Sequence, residues 1–174
     1  MNLRRALTPV LLGLTLVAGL SGCGFHLRGQ AQLPFASAFV EGGTKAGNVL
    51  QPARFGSLAG QLSQTLASQN KLAADAQSAP VRILLGNESL TKNILSLSGG
   101  GKVKEYRLIY KVTLAAVDAD GRELLAPADI VLNRDFSYSD AEALAKEAEE
   151  AGLIRSMEQD ALRQVLRRLS YTQR

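Results

Sequence analysis

Hydrophobic and polar residues recur along the chain with two different periods, and the periods predict two helices and several strands. Apolar residues spaced three and four apart predict a first helix over roughly Pro52 to Gln69, because residues at this spacing share one helix face. Its apolar positions are Phe55, Leu58, Ala59, Leu62 and Leu66. A longer stripe of the same spacing predicts a second helix that ends near Leu169. The positions of this stripe are Leu144, Ala148, Ala151, Ile154, Met157, Ala161, Leu162, Val165 and Leu169.

Strict alternation of apolar and polar residues predicts strands, since successive side chains of a strand point to opposite faces. The clearest strand has one apolar face, made of Tyr106, Leu108, Tyr110, Val112, Leu114 and Ala116. Its other face is polar and is interrupted by Ile109; it carries Glu105, Arg107, Lys111 and Thr113. Weaker patterns predict a short strand at Phe39 and Val40, a strand from Val81 that continues less cleanly to Ser98, and a strand over Ala128 to Tyr138.

Turn and cap signals divide these elements. Gly99–Gly101 predicts a flexible turn before the central strand, and Asp120 followed by Gly121 predicts a hairpin turn after it. Ser139 with Glu142 three residues later matches a capping box, which predicts Ser139 as the N-cap of the last helix.

These elements predict the fold class. Strands with one apolar face need a cover, and two amphipathic helices can provide it. We therefore predict an α+β fold, a two-layer sandwich in which two helices pack on one face of a four-stranded, mainly antiparallel (mixed) sheet. The opposite face of the sheet stays partly open, which makes it a reasonable docking surface.

The N-terminal residues have the layout of a secretory signal. Arg4 and Arg5 precede an uncharged run from Ala6 to Leu20, and small residues then lead to Cys23, the only cysteine. The apolar run is shorter than the roughly 18 to 20 residues of a membrane-spanning helix. We predict a signal peptide at 1–22, a lipidated tether at 23–35 and one α/β domain at 36–174.

Composition argues against several classes of function. Removal of residues 1–22 leaves one domain of ordinary size, and loss of Arg4 and Arg5 lowers the formal net charge from +4 to +2. That charge, without tryptophan and with 5% aromatic residues, is a weak basis for nucleic-acid binding. The single histidine, His26, has no second metal ligand and no triad partners near it in the sequence. We therefore predict no metal, no cofactor, no nucleic-acid partner and no enzymatic activity. The acidic run Glu147, Glu149 and Glu150 is interpreted as a solvated helix face.

The position of Cys23 directly after small residues resembles the lipobox of bacterial lipoproteins. The resemblance implies acylation of the Cys23 sulfur, cleavage before Cys23 and acylation of the new amino group. Gly24, in place of the aspartate that marks inner-membrane retention in enteric lipoproteins, implies the outer membrane. The alternative is an ordinary signal peptide with an incidental cysteine.

Four regions of the chain, in order, resemble the LptE family of lipopolysaccharide-assembly lipoproteins. They are the mature start Cys23–Gly29, the beginning of the central strand Lys104–Leu108, the end of the next strand Asn133–Tyr138, and the last helix with Leu144–Glu147 and Leu166–Leu169. No single piece is specific, whereas the ordered set is.

The family resemblance implies a non-enzymatic protein that plugs the outer-membrane β-barrel LptD, helps it assemble, and binds lipopolysaccharide during its transport to the outer leaflet. The implied location is the outer membrane, lipid-anchored, on the periplasmic side and in the barrel lumen. An independent periplasm-facing lipid carrier is the alternative, and a lipid-anchored hydrolase ranks below both.

The resemblance also implies residues that bind lipopolysaccharide. The family uses a lysine near the start of the last helix, which Lys146 matches, and a basic residue in the turn before the central strand, for which Lys102 and Lys104 are the nearest cations. Arg134 is a further candidate in the last strand, with a structural ion pair as its alternative role.

The alternative role of Lys146 is an ion pair on the helix surface. Glu142 and Glu150 lie four residues to either side and are its expected partners in that case.

Overall fold

The computed structural model describes residues 32–42 and 57–172. In chain order these residues form the strand β1 (Phe39–Gly42), the helix α1 (Leu58–Ser68), the strands β2 (Val81–Leu97), β3 (Val103–Asp118) and β4 (Glu123–Ser137), a 3-10 turn (Asp140–Glu142), and the helix α2 (Ala143–Leu169).

The strands form one sheet in the order β1-β2-β3-β4. β1 pairs with β2 in parallel, while β2, β3 and β4 pair antiparallel through short connections. The parallel pair follows from the chain path, since α1 lies between β1 and β2 and carries the chain back to the starting end of the sheet. The predicted fold class, two helices on a four-stranded mixed sheet, is confirmed.

The core lies between the two helices and one face of the sheet. α1 packs on β1 and β2, and α2 packs on β3 and β4. Alternate residues of β3 point into this layer, as the sequence pattern predicts, and belong to the same hydrophobic core as the apolar faces of the two helices. Burying a side chain of this size contributes about 1.5–3 kcal/mol. The largest fully buried side chains are Tyr110, Leu58, Leu62, Leu66, Ile83, Leu108, Leu114, Ile130, Met157, Leu169, Val112 and Val165.

A bulge in β2 explains why its pattern is irregular in the sequence. Before the bulge, odd-numbered residues such as Leu85 point into the core, whereas after it Glu88 and Leu90 do so. The pairing with β3 shifts between Gly86 and Ser89, and Asn87 adopts a φ of 52°. The extra residue changes which side chains face inward, so a single alternating pattern cannot span the strand.

Two predictions about the last helix are wrong. Ser139 is not the N-cap of α2, because it precedes the 3-10 turn instead. The carbonyl oxygen of Ser139 accepts a hydrogen bond from the backbone N–H of Glu142 at 3.0 Å, and the Ser139 side chain makes no cap hydrogen bond. Leu144 does not belong to the buried stripe, since it is 84% exposed. The turn delays the start of α2 to Ala143, and Ala148, another residue of the predicted stripe, is exposed as well.

Other boundaries differ less. β4 begins at Glu123, five residues before its predicted start at Ala128. α1 begins at Leu58, with the Ser57 hydroxyl accepting from the backbone N–H of Gly60 at 3.2 Å. The first residues of the predicted helix, including Phe55, lie outside the described residues.

The segment before β1 packs against the domain. Leu33 and Phe35 are buried in the core. The Lys71 ammonium donates to the carbonyl oxygens of Leu33 at 3.3 Å and Phe35 at 2.5 Å and lies 5.8 Å from the Phe35 ring centroid. The packed part of the chain therefore includes the last residues of the segment predicted as a tether.

Candidate functional site

The face of the sheet that the helices leave open is mainly polar, although Val131 is half exposed on it, and several of its charges are paired. Arg107 forms a two-bond ion pair with Asp135 on the neighbouring strand, with both distances 2.7 Å. Lys111 lies 2.8 Å from Asp129, and Arg82 lies 3.7 Å from Glu41 near the other edge. Each pair adds polar groups of both signs to the open face and no net charge.

Three of the predicted site residues lie at one end of the sheet. We call this the hairpin end and define it by residues 94–105, which form the β2–β3 hairpin, and residues 137–146, which lead from β4 into α2. It contains Lys102, Lys104 and Lys146.

Lys146 is already engaged with protein groups. Its ammonium lies 2.9 Å from the Ser137 hydroxyl and 2.9 Å from a carboxylate oxygen of Glu149, and its side chain is only 15% exposed. The partner is therefore Glu149, three residues along the helix, rather than Glu142 or Glu150. An anionic ligand at Lys146 would compete with the Glu149 carboxylate.

The other two lysines are more accessible. Lys102 is mostly exposed and lies 3.4 Å from Asp140, which is also mostly exposed, so solvent screens the pair strongly. Lys104 is exposed, and its ammonium forms no ion pair with any residue of 32–42 or 57–172. Its backbone carbonyl accepts from the N–H of Tyr138 at 2.7 Å, which ties β3 to the start of the turn.

Arg134 lies apart from these lysines, beneath the middle of α2. One guanidinium nitrogen contacts Asp160 at 2.6 Å, and another donates to the Asn133 carbonyl at 2.9 Å. Arg163 pairs with the same aspartate. This geometry matches the alternative role, an ion pair that joins β4 to α2.

Exposed aliphatic side chains accompany the lysines at the hairpin end. Ile94 is 57% exposed, Leu97 is 55% exposed, and Leu95 and Leu144 are also exposed. Sequence analysis did not single them out as surface residues. The sequence contains one sign of these exposed residues: the alternation of apolar and polar residues stops after Leu90, and apolar residues then occur on both faces of β2.

An aromatic cluster lies next to the hairpin end on the helix side of the sheet. The ring of Tyr106 lies 5.7 Å from that of Phe136 and 5.3 Å from that of Tyr138, measured between centroids. The Lys92 ammonium sits 4.2 Å from the Tyr106 centroid and 2.5 Å from a carboxylate oxygen of Glu150.

The ion pair with Lys92 changes the interpretation of the acidic run in α2. Glu147 is exposed, as predicted, but the Glu150 carboxylate is largely covered and pairs with Lys92. The prediction of a uniformly solvated face is therefore wrong at Glu150.

Glu88, which sequence analysis missed, is a buried carboxyl group in the bulge of β2. Its Oε1 atom accepts from the Tyr110 hydroxyl at 2.7 Å. The backbone N–H of Leu58 lies 3.1 and 3.2 Å from its two oxygens, so Glu88 binds the first turn of α1. A carboxylate is favoured there because the N-terminus of a helix carries partial positive charge. Only the bulge places Glu88 inside, and the sequence gives no direct sign of it.

Glu158 of α2 is the second buried carboxyl group and is 3% exposed. Its Oε2 atom accepts from the Gln61 side-chain amide at 3.3 Å, while its buried Oε1 atom has no hydrogen-bond partner among the described residues. Burial is the largest influence on the pKa of Glu158 and raises it, and the negative charge of Glu88 raises it further. The hydrogen bond from Gln61 and the positive charge of Arg155 lower the pKa, but the net effect is a raised value. Burial also raises the pKa of Tyr110, and the charge of Glu88 adds to that effect.

No helix within residues 32–42 and 57–172 is long and apolar enough to cross a bilayer. No group of three or more His, Cys, Asp or Glu residues in the same ranges could hold a metal ion. Cys23 and His26 lie outside the described residues.

Comparison with known proteins places this fold in a family. The family model LptE, described as lipopolysaccharide-assembly, matches residues 46–169. The chain belongs to the LptE family. It is 31% identical over 168 residues to the LPS-assembly lipoprotein LptE of Photorhabdus laumondii, covering 96% of this chain and 87% of that protein. It is 30% identical over 172 residues to the protein of the same name from Pectobacterium atrosepticum, covering 96% and 86%.

Solved structures of similar lipoproteins share the architecture of this LptE-family chain. Lipoprotein B from Nitrosomonas europaea aligns with a TM-score of 0.67 and 33% identity, covering 84% of this chain and 90% of that one. The rare lipoprotein B from Shewanella oneidensis aligns with a TM-score of 0.59 and 26% identity, covering 78% and 93%.

Proposed function

We propose that this chain is a lipid-anchored, non-catalytic component of lipopolysaccharide assembly at the outer membrane. In this role the domain fills the LptD barrel and contacts lipopolysaccharide at the hairpin end. The observation that carries the proposal is family membership together with a hairpin end that combines exposed aliphatic side chains with lysines.

The chemistry of the hairpin end suits an amphiphile that carries both phosphates and acyl chains. Lysine hydrogen bonds to phosphate are charge-assisted and stronger than neutral ones. Lys102 and Lys104 offer accessible ammonium groups, and the aliphatic residues Ile94, Leu97 and Leu144 offer apolar surface beside them. Lipopolysaccharide presents both kinds of group.

The open sheet face suits the wall of a barrel lumen. Barrel interiors are polar, so a plug should present hydrogen-bonding groups and balanced charge. The cross-strand pairs Arg107–Asp135 and Lys111–Asp129 provide balanced charge, and Thr91 and Asn133 provide exposed polar groups on the same face.

Binding of lipopolysaccharide is tested by charge reversal at the hairpin end. Lys146→Asp and the double change Lys102→Asp with Lys104→Asp should each weaken binding of purified lipopolysaccharide about tenfold or more, since one charge-assisted hydrogen bond contributes about 1.5–3 kcal/mol. Arg167→Asp is the matched control, because Arg167 is an exposed cation at the opposite end of α2. Equal affinity in all four proteins would refute the assignment.

The barrel partner is tested by site-specific crosslinking in outer membranes. A photocrosslinker at Thr91, on the open face, should capture LptD, whereas one at Gln159, on the exposed surface of α2, is the comparison site. Recovery of no barrel protein from either site would contradict the plug. Mass spectrometry of the mature N-terminus tests acylation of Cys23, and Cys23→Ala should remove the acyl mass.

A further inference from the structure

Glu88 and Glu158 connect the two helices and the sheet at one buried point. Glu88 comes from β2 and holds the first turn of α1 through the backbone N–H of Leu58. Glu158 comes from α2 and binds the same helix through Gln61. The proposed contacts with lipopolysaccharide and the barrel use neither group.

We propose that Glu88 and Glu158 form a pH-responsive joint between α1, α2 and the sheet, closed when Glu158 is protonated and loosened when Glu158 is ionised. The joint acts on α1, the shorter helix, because both acidic residues bind within its first turn.

The geometry around Glu158 favours its neutral form. Its Oε1 atom is buried without a hydrogen-bond partner among the described residues, and an ionised carboxyl group in that position loses hydration without compensation. Within residues 32–42 and 57–172, the only side-chain hydrogen bond that Glu158 receives is the one from Gln61, at 3.3 Å.

The charged and titratable groups that face Glu158 come from every element packed around it. Glu88 on β2 repels a negative charge at Glu158, and Arg155 on α2 attracts one. Tyr110 on β3 donates its hydroxyl proton to Glu88, which leaves that donor unavailable to Glu158. On α1 the facing group is the neutral amide of Gln61. Burial and the repulsion from Glu88 together outweigh Gln61 and Arg155, so the pKa of Glu158 is raised.

A raised pKa in the folded state fixes the direction of the pH effect. The folded chain holds the Glu158 proton more tightly than the unfolded chain does. The contribution of the Glu158 proton to the free energy of unfolding is therefore fully present below the ordinary glutamate pKa of about 4.3. It is lost as the pH rises from there through the pKa of Glu158 in the folded chain.

Ionisation of Glu158 also affects the contact of Glu88 with α1. A negative charge at Glu158 repels the Glu88 carboxylate, which binds the first turn of that helix. Loosening should therefore appear first in the amide protons of α1, before those of β3 in the centre of the sheet.

Carbon-13 NMR of the Glu side-chain carboxyl groups tests the joint directly in the full-length wild-type chain in detergent. The Glu158 resonance should titrate above the ordinary glutamate value, because burial and the charge of Glu88 raise its pKa. Glu88→Gln should shift that titration to lower pH by removing the like charge. Titration of Glu158 at or below the ordinary value would overturn the proposal.

Hydrogen exchange tests the mechanical consequence. After correction for intrinsic exchange rates, amides of α1 should exchange faster above the Glu158 titration than below it, because ionisation of Glu158 weakens its contact with that helix. Glu158→Gln, which stays neutral, should remove this change, while Glu147→Gln on the exposed surface should behave like wild type. Identical pH profiles for wild type and Glu158→Gln would overturn the proposal. If Glu158→Gln does not fold, the wild-type protein alone decides: unchanged protection of the α1 amides from exchange across the Glu158 titration would also overturn the proposal.

Discussion

The ammonium group of Lys92 lies 2.5 Å from a carboxylate oxygen of Glu150, and this ion pair joins β2 to α2 across the intervening strands. Both side chains are largely covered. The same ammonium lies 4.2 Å from the centroid of the Tyr106 ring and 5.4 Å from that of Phe136, within the range of cation–π attraction. Lys92 therefore connects three strands and one helix.

Replacement of Lys92 should destabilise the domain. Lys92→Met keeps most of the apolar stem but leaves Glu150 partly buried without its cation, so we expect a loss of about 1–3 kcal/mol. Urea denaturation measures this loss through the unfolding midpoint. Lys104→Met is the matched control, because Lys104 is exposed, and its midpoint should stay close to that of wild type. An equal midpoint for Lys92→Met and wild type would show that the ion pair contributes nothing.

The sequence predicted the layers of this fold where one period runs through a whole element. In β3, the alternation from Tyr106 to Ala116 survives in the structure, because the inward residues from Leu108 to Ala116 are buried in the core and the outward residues, except Ala115, stay partly exposed. The stripe of α2 survives for the same reason from Met157 to Leu169.

Prediction failed where a local backbone feature changes the period or where partners come from distant elements. The bulge at Asn87 shifts the pattern of β2, so no single alternating period describes the whole strand. The partners of Glu88 and Lys92 lie on other elements, Glu150 being 58 residues from Lys92. For Lys146 the sequence identified a lysine at the start of α2, but the choice of Glu149 depends on side-chain geometry.

The bulge at Asn87 gives a test of backbone strain. A φ of 52° is accessible to glycine at no steric cost and is unfavourable for alanine. Asn87→Gly and Asn87→Ala both lose the contact of the side-chain amide with Thr113 at 3.3 Å, so the difference between them isolates the backbone. We expect the glycine variant to be more stable by about 1 kcal/mol, measured by thermal or urea denaturation. Equal stability would show that the bulge relaxes to another conformation.

Gly42 permits the close approach of α1 to β1. A Cβ atom on Gly42 would lie 2.4 Å from the Ala59 Cβ atom, so Gly42→Ala should cost about 1–3 kcal/mol by forcing the helix outward. Gly86→Ala is the control, because a Cβ there meets nothing within 4 Å.

A second change tests whether the contact of Gly42 with Ala59 is the cause. Adding Ala59→Gly to Gly42→Ala removes the clash, although glycine in a helix costs about 1 kcal/mol by itself. A double-mutant cycle should therefore show a favourable coupling between the two changes. If the stability losses of the two single variants simply add in the double variant, the cost of Gly42→Ala does not come from its contact with Ala59.

The contact of Lys146 with Glu149 gives the most specific prediction about the proposed site. If lipopolysaccharide phosphate binds Lys146, it must displace the Glu149 carboxylate, which lies 2.9 Å from the ammonium. Glu149→Gln removes the competing charge and one source of repulsion, so we expect lipopolysaccharide affinity to rise about three- to tenfold, equivalent to roughly 0.7–1.4 kcal/mol. Titration with lipopolysaccharide at fixed ionic strength measures the affinity of Glu149→Gln and wild type. The difference between them should become smaller as salt is added, because salt screens the repulsion between Glu149 and phosphate in the wild type. Glu147→Gln carries the same change in net charge at an exposed position of the same helix and should raise affinity less. An equal rise in both variants would indicate a general charge effect, and no rise in either would place the phosphate away from Lys146.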